Sequence, residues 1–173
     1  MQTLKRPITE HAPKYANFYF SYTENQLDLL EAFKKNEQLV IDLLKSIPSD
    51  KETYRYTPEK WTVKGVVAHI IDTERVFSSR ALRSARHDTN NSPDYDQEKY
   101  DQYNNEGNRT LAQMINEFSL LRKNTIALFE SFSDDNLDFV GTASNAPLSA
   151  RSAGWLTIGH AAHHIKVLKE KYI

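Results

Sequence analysis

Apolar residues recur at the spacing of one helix face in four long stretches of the chain. The first predicted helix begins near Thr23, where Thr23 and Gln26 can form a capping box. It ends at Ile47 and Pro48, because a proline disfavours helical backbone in the residue before it. The apolar stripe between these ends consists of Leu27, Leu30, Phe33, Leu39, Ile41, Leu43 and Leu44.

Capping signals also mark the starts of the second and third predicted helices. The second has Thr62 as its N-cap and runs to about Ala85. Its apolar positions are too widely spread for a surface helix, so we expect it to contact two neighbours. The third starts near Thr110, where Gln113 completes a capping box, and extends to about Phe129.

The last predicted helix runs from about Ser149 to Tyr172 and contains Gly154 and Gly159. Each glycine costs roughly 1 kcal/mol relative to alanine inside a helix, so close packing of a neighbouring element is expected at both positions. Four long helices without a competing strand pattern predict an all-α fold, a four-helix bundle. A single domain over residues 1–173 is expected from the chain length.

Three connecting segments differ in composition from the helices. Residues 49–60 are rich in turn-forming residues, and residues 87–108 are rich in Asp, Asn, Tyr and Pro. The second segment is predicted to be a long loop, of the kind that is often functional or flexible. Residues 131–149 are expected to be irregular, with a brief extended piece at residues 138–140. Within them, Asp134 and Asp135 beside Asn136 favour a helix start over a set of metal ligands.

Charge and composition narrow the classes of function. The formal net charge is −1, which gives no electrostatic reason to expect nucleic acid or an anionic membrane as a partner. The chain has no cysteine, which excludes disulfides and thiolate metal sites. The N-terminal residues do not resemble a signal peptide, and no stretch approaches the roughly 20 apolar residues of a membrane span. We therefore expect a cytoplasmic protein.

Three histidines are the strongest functional signal. His160 and His164 are four residues apart on the last predicted helix, so both can face one point in the bundle interior. His69, on the apolar side of the second helix, can supply a third imidazole, whereas His163 is displaced towards solvent. Such a trio can hold one divalent ion, zinc or nickel, and leaves a coordination position open, as in catalytic zinc sites. Each histidine could instead be an ordinary core residue, but burying three without a shared role is costly.

Two acidic residues of the second helix have alternative roles. Asp72 either orients a ligand imidazole or pairs with Arg75 at the surface. Glu74 falls among apolar residues and needs a cationic partner, for which Arg80 and Arg151 are candidates. The pattern assigns no general base and no other catalytic residue.

Two groups of aromatic residues accompany the predicted helices. One is expected to pack in the core or at an interface rather than against a substrate, and comprises Tyr15, Phe18, Tyr19, Phe20 and Tyr22. The other lies in the long loop and is the better candidate for lining a pocket; it comprises Tyr95, Tyr100 and Tyr103.

Several motifs, taken in order, resemble the DinB/YfiT-like superfamily. The longest is the run Ala68, His69, Ile70, Ile71, Asp72, Thr73, Glu74 and Arg75, between residues 61–64 and 80–83. Further matches occur at residues 6–7, 54–58, 141–143, 147–151 and 159–172, so the resemblance covers nearly the whole chain. It implies a four-helix bundle, often a homodimer, with a divalent metal held by His69, His160 and His164.

The activities of this family leave alternatives open. Some members transfer low-molecular-weight thiols or use them in an isomerisation, and others are described as metal-dependent hydrolases. The resemblance therefore implies a metal-dependent enzyme that transfers a low-molecular-weight thiol to a small electrophilic substrate. A metal-dependent hydrolase and a non-catalytic, stress-linked metal-binding bundle are the alternatives.

Overall fold

The computed structural model describes residues 6–173, in which four long helices form a bundle. The long helices are α2 (Leu29–Ser46), α3 (Val63–Ala85), α5 (Leu111–Glu130) and α7 (Ala150–Lys171). The shorter elements are α1 (Ala16–Phe20), α4 (Gln97–Tyr103), α6 (Asp134–Asp138), β1 (Val140–Ala143) and β2 (Ala146–Ser149). The predicted four-helix bundle is confirmed. Residues 1–5, which belong to the N-terminal segment judged unlike a signal peptide, lie outside the described residues.

The packing of the long helices brings α3 and α7 side by side. Helices α3 and α2 each pack against both α5 and α7. The order around the bundle is therefore α2, α5, α3, α7, and the consecutive helices α2 and α3 are diagonal. Two buried clusters fill the interior, one around Phe33, Phe129 and Trp155 and the other around Ile71 and Phe118.

The predicted N-caps of α3 and α5 and the predicted start of the last helix, α7, are confirmed. Thr62 accepts a hydrogen bond from the Gly65 amide at 2.9 Å. The capping box of α5 is complete, with Thr110 as its N-cap. Ser149 accepts a hydrogen bond from the Ser152 amide at 3.1 Å and begins α7. Each cap satisfies a backbone N–H that has no partner inside its own helix.

The predicted start of the first helix at Thr23 is wrong. Helix α2 begins at Leu29, and its N-cap is Asp28. Thr23 instead closes a short 3-10 turn, in which its hydroxyl donates to the Phe20 carbonyl at 2.8 Å. The same hydroxyl accepts a hydrogen bond from the Arg6 guanidinium at 2.8 Å rather than from the backbone amide of a helix.

The two segments expected to lack structure contain short elements. Residues 87–108 include α4, which Asp96 caps by accepting the Lys99 amide at 3.1 Å. Residues 131–149 contain α6 and an antiparallel hairpin of β1 and β2. The helix start at Asp134 is confirmed, but residue 138 ends α6, so the predicted extended piece is correct only for residue 140. The hairpin turn holds Ser144 and Asn145 at positive φ, where asparagine is tolerated.

The two glycines of α7 are sites of close approach, as predicted. A Cβ atom on Gly154 would lie 2.8 Å from Leu29 Cδ2. A Cβ atom on Gly159 would collide with the backbone carbonyl of Tyr19, so this glycine lets the chain around α1 lie directly on α7. No helix within residues 6–173 combines the length and apolar composition needed to cross a membrane.

Candidate metal centre

The three predicted histidines lie together between α3 and α7. One ring nitrogen from each of His69, His160 and His164 lies within 4.8 Å of the other two. Nε2 of His69 is 2.8 Å from Nε2 of His160, and the ring centroids of His160 and His164 are 4.4 Å apart. The four-residue spacing stacks two imidazoles on one face of α7, and α3 brings the third to them.

Burial holds these imidazoles in the neutral form. It lowers the pKa of His69 to about 4 and that of His164 to about 2, with neighbouring histidines adding to the effect. The pKa of His160 is lowered well below its ordinary value for the same reasons. At neutral pH the cluster therefore carries nitrogen lone pairs rather than positive charge, and this is the form of histidine that binds metal ions.

The donor set fits one divalent ion. Nitrogen ligands of a tetrahedral zinc ion lie about 3.3 Å from one another, given Zn–N bonds of about 2.0–2.1 Å. In the cluster two of the nitrogens are 2.8 Å apart and all three lie within 4.8 Å of one another, so small side-chain shifts would suffice. No further His, Cys, Asp or Glu of residues 6–173 joins the three histidines. The group could thus hold a metal ion through three neutral nitrogens.

The orienting partner of His69 is Tyr95, not Asp72. Nδ1 of His69 lies 3.4 Å from the Tyr95 hydroxyl, a long hydrogen bond, and the same hydroxyl lies 3.3 Å from the Thr73 hydroxyl. In the tautomer that can bind a metal through Nε2, the Nδ1–H of His69 is the donor of this bond. This contact leaves the Nε2 lone pair of His69 directed at the cluster. Asp72 pairs with Arg75 at 3.2 Å, which confirms the surface alternative predicted for it.

The cationic partner of Glu74 is Arg122 of α5, so the prediction of Arg80 or Arg151 is wrong. Arg122 Nε and Nη2 donate to the two Glu74 carboxylate oxygens at 2.9 and 2.8 Å, and both residues are buried. Arg151 instead pairs with Asp138 at 2.6 Å. The packing of α5 against α3 brings Glu74 and Arg122 together across a long sequence separation.

A cavity of about 470 Å³ adjoins the histidine cluster. His69 and His160 form part of its wall, and the remainder includes Tyr15, Phe18, Tyr19, Phe77, Arg80 and Tyr95. Tyr95 lines a pocket, as predicted. The N-terminal aromatic group was expected in the core or at an interface, and three of its members line this cavity instead. They do so because α1 lies across α7 at Gly159; Phe20 of the same group is buried in the core.

A second cavity, of about 410 Å³, meets the cluster at His164. Tyr19 and Gln97 line both cavities. His163 also lines the second cavity, but its Nδ1 lies 2.9 Å from the Tyr22 hydroxyl and it is not a member of the cluster. The half-buried position of His163 agrees with its predicted displacement from the interior.

The other two loop tyrosines lie farther from the histidines. The Tyr100 ring packs edge-on against Tyr95, with centroids 4.7 Å apart, and Tyr100 lines a neighbouring cavity of about 350 Å³. Tyr103 is exposed at the end of α4. The long segment thus contributes Tyr95 to the site directly and Tyr100 through its contact with Tyr95.

Comparisons with known proteins agree with this architecture. The structure of YfiT from Bacillus subtilis is described as "a probable metal-dependent hydrolase with an unusual four-helix bundle topology". It matches with a TM-score of 0.71 at 17% identity, over 96% of this chain and 94% of YfiT, and at that identity the likeness shows the fold alone. No curated protein gives a significant match. The sequence profile of the DinB superfamily matches residues 32–168, and the chain therefore belongs to the DinB superfamily.

Proposed function

We propose that the chain is a metal-dependent enzyme that holds one divalent ion, zinc or nickel, on His69, His160 and His164. In this proposal the enzyme transfers a low-molecular-weight thiol to an electrophilic substrate in the adjoining cavity. The observation that carries the proposal is the convergence of three neutral imidazoles, those of His69 and His160 buried and that of His164 half-buried, beside a cavity of about 470 Å³ that His69 and His160 line. A structural metal site is normally closed by a fourth protein ligand, and residues 6–173 supply none to this group.

The chain's own residues have separable roles in this proposal. Tyr95 positions the ring of His69 through its contact with Nδ1, and the aromatic rings of Tyr19 and Phe77 lie beside His160 in the cavity wall. A divalent ion bound by the histidines would supply the thiolate by lowering the pKa of a coordinated thiol. The site therefore needs no separate base to deprotonate a thiol.

The lining of the cavity favours thiol transfer over hydrolysis. Asp94 is the one carboxylate among the described residues that line this cavity, and it is exposed. Hydrolysis commonly uses a positioned general base or acid within hydrogen-bond reach of the reacting groups. The aromatic wall beside the histidines suits an organic thiol and acceptor better than a proton relay.

Hydrolysis is the second candidate function. It is supported by the printed description of YfiT, whose fold this chain shares. Three histidines with an open coordination position also suit metal-assisted hydrolysis.

Metal content tests the first part of the proposal. Protein purified without an affinity tag is expected to contain about one divalent ion per chain. The double variant His160→Ala, His164→Ala should lose the ion, because one imidazole cannot hold it alone. His163→Ala is the matched control and should keep the ion, since His163 contacts Tyr22. Stoichiometric metal in the double variant would refute the assigned ligands.

A paired assay tests the second part. The metal-loaded protein is offered low-molecular-weight thiols with generic electrophiles in one arm, and activated esters and amides in the other. We expect metal-dependent thiol consumption that His69→Ala abolishes. Hydrolysis without a thiol requirement would favour the second candidate, and silence in both arms would favour a non-catalytic metal-binding bundle.

A further inference from the structure

Arg80 is a buried cation that forms no ion pair with any described residue. It is 6% exposed, and its Nη2 makes both of its hydrogen bonds, to the Pro93 carbonyl at 2.7 Å and the Ser144 hydroxyl at 3.0 Å. No buried side-chain nitrogen or oxygen of residues 6–173 lacks a hydrogen-bond partner. Nε and Nη1 of Arg80 make no such bond, so both remain accessible from the space around the side chain, which lines two cavities.

Arg80 lines the same cavity as His69 and His160. His69 and Arg80 both line it, and they are separated by three turns of α3. That separation is roughly 16 Å along the helix axis and about 20° around it, so Thr73 and Phe77 fall between them on one stripe. A long helical side chain extends towards the N-terminus of its helix, which brings the guanidinium to within the order of 10 Å of the histidine end.

We infer that Arg80 binds a carboxylate of the ligand whose reacting atom occupies the histidine end of the cavity. The inference rests on the proposed function and defines its substrate class: an elongated small molecule with a carboxylate on the order of 10 Å from the reacting atom. Burying a charge without a counter-ion is unfavourable, and a ligand carboxylate would pair with the two open N–H groups of the guanidinium fork.

The charge around Arg80 favours a carboxylate over a phosphate. One guanidinium balances the single charge of a carboxylate. A phosphate dianion would leave excess negative charge in a cavity whose lining already includes Asp94. Lysine would not serve equally well, because its single ammonium lacks the planar fork that matches a carboxylate.

Four probes separate the two ends of the cavity. They are 8-mercaptooctanoate, 8-mercapto-1-octanol, octanoate and 1-octanol, titrated calorimetrically into the zinc-loaded protein. We expect each acid to bind about ten-fold or more tightly than its alcohol, the size expected of a hydrogen bond to a charged group. The preference should persist for octanoate over octanol in metal-free protein. It should vanish for 3-mercaptopropionate against 3-mercapto-1-propanol, because that thiol is too short to span the cavity.

Variants assign the preference to Arg80. Arg80→Gln should abolish the preference for acid over alcohol and keep the preference for thiol over methyl. Arg80→Lys should keep part of the preference for acid over alcohol. Asp94→Asn should tighten the binding of both acids, because it removes a negative charge from the cavity lining. Arg86→Gln is the matched control: Arg86 is exposed just beyond the end of α3, and its loss should change nothing.

The outcomes distinguish the inference from the proposed function. Equal binding of acid and alcohol to the wild type would overturn the inference, as would an acid preference that survives Arg80→Gln. If Arg80→Gln lowers the melting temperature but leaves ligand binding unchanged, Arg80 only stabilises the contacts of Pro93 and Ser144 with α3. That result would also overturn the inference. Loss of the thiol-over-methyl preference alone would refute the thiol chemistry and leave Arg80 as a carboxylate site.

Discussion

At the residue scale, the histidine cluster depends on a contact from a distant segment. The Tyr95 hydroxyl lies 3.4 Å from Nδ1 of His69, where it would accept the Nδ1–H of a His69 that binds a metal through Nε2 and so hold the ring in position. Groups that orient metal-ligating histidines typically contribute about ten-fold or more to metal affinity. Tyr95→Phe should therefore weaken zinc binding by about ten-fold, measured by competition with a chromophoric chelator. Tyr100→Phe is the control, and equal affinities in the two variants would contradict the orienting role.

The buried pair of Glu74 and Arg122 makes a second prediction at this scale. Arg122 also donates to the Phe33 carbonyl and the Asn36 side chain, so its removal takes a donor from these two acceptors and leaves the buried Glu74 carboxylate without its cation. Arg122→Ala should lower the free energy of unfolding by about 3–5 kcal/mol, measured by urea denaturation of the metal-free protein.

A surface arginine provides the comparison for Arg122. Arg75 pairs with Asp72 and Glu117, but its side chain is 47% exposed. Arg75→Ala should cost less than about 1 kcal/mol, because exposed ion pairs contribute little to stability. If Arg75→Ala and Arg122→Ala lowered the free energy of unfolding by similar amounts, burial would not explain the contribution of the Glu74–Arg122 pair to stability.

At the element scale, helix starts were predictable where a capping residue and an apolar stripe coincided. Thr62, Thr110 and Ser149 met both conditions, and α3, α5 and α7 begin there. The capping box of Thr23 and Gln26 indicated a start that is too early, because the Thr23 hydroxyl contacts Phe20 and Arg6 in the structure and Asp28 caps α2. Helices α4 and α6 are too short to carry a full apolar stripe, which is why the pattern did not indicate α4.

The contact between α1 and α7 makes a prediction about glycine. A methyl group at Gly159 would collide with the backbone of Tyr19, which cannot turn aside as a side chain can. Gly159→Ala should therefore cost about 1–3 kcal/mol of unfolding free energy, despite the better helix propensity of alanine. Gly107→Ala is the control, because nothing lies within 4 Å of a Cβ built there and its φ is not positive. A stabilised Gly159→Ala variant would refute the close contact.

At the scale of the whole molecule, the sequence predicted which histidines meet and that Tyr95 lines a pocket, but not that Tyr95 contacts His69 or that Arg122 pairs with Glu74. His160 and His164 share a face by helix geometry. His69 lies on the apolar side of the second predicted helix, whose widely spread apolar positions require contact with two neighbours. Tyr95 and Arg122 lie on other elements, and only the packing of those elements against α3 brings them to His69 and Glu74. The homodimer expected from the family resemblance stays a prediction.

The buried imidazoles also make the stability of the whole metal-free protein depend on pH. The folded protein keeps His69 neutral down to a pKa of about 4, whereas in the unfolded chain the same group titrates near its ordinary value of 6.5. Below about pH 6.5 the unfolded state binds more protons than the folded state. The free energy of unfolding must therefore fall as the pH is lowered from about 6.5 towards 4. Above that range the buried histidines do not lower the free energy of unfolding.

The size of this effect identifies its source. Each histidine that stays neutral in the folded protein lowers the free energy of unfolding by about 1.4 kcal/mol per pH unit once the pH is well below 6.5. Together, His69, His160 and His164 should lower it by a few kcal/mol by about pH 5. Urea unfolding in the presence of a chelator, at pH 7.5 and at about pH 5, measures this loss. The triple variant His69→Gln, His160→Gln, His164→Gln removes these three groups and leaves every carboxylate in place, so it should lose less stability over the same range. Parallel losses in the two proteins would mean that the imidazoles are not buried in the neutral form, and that the cluster is not prepared to bind a metal ion.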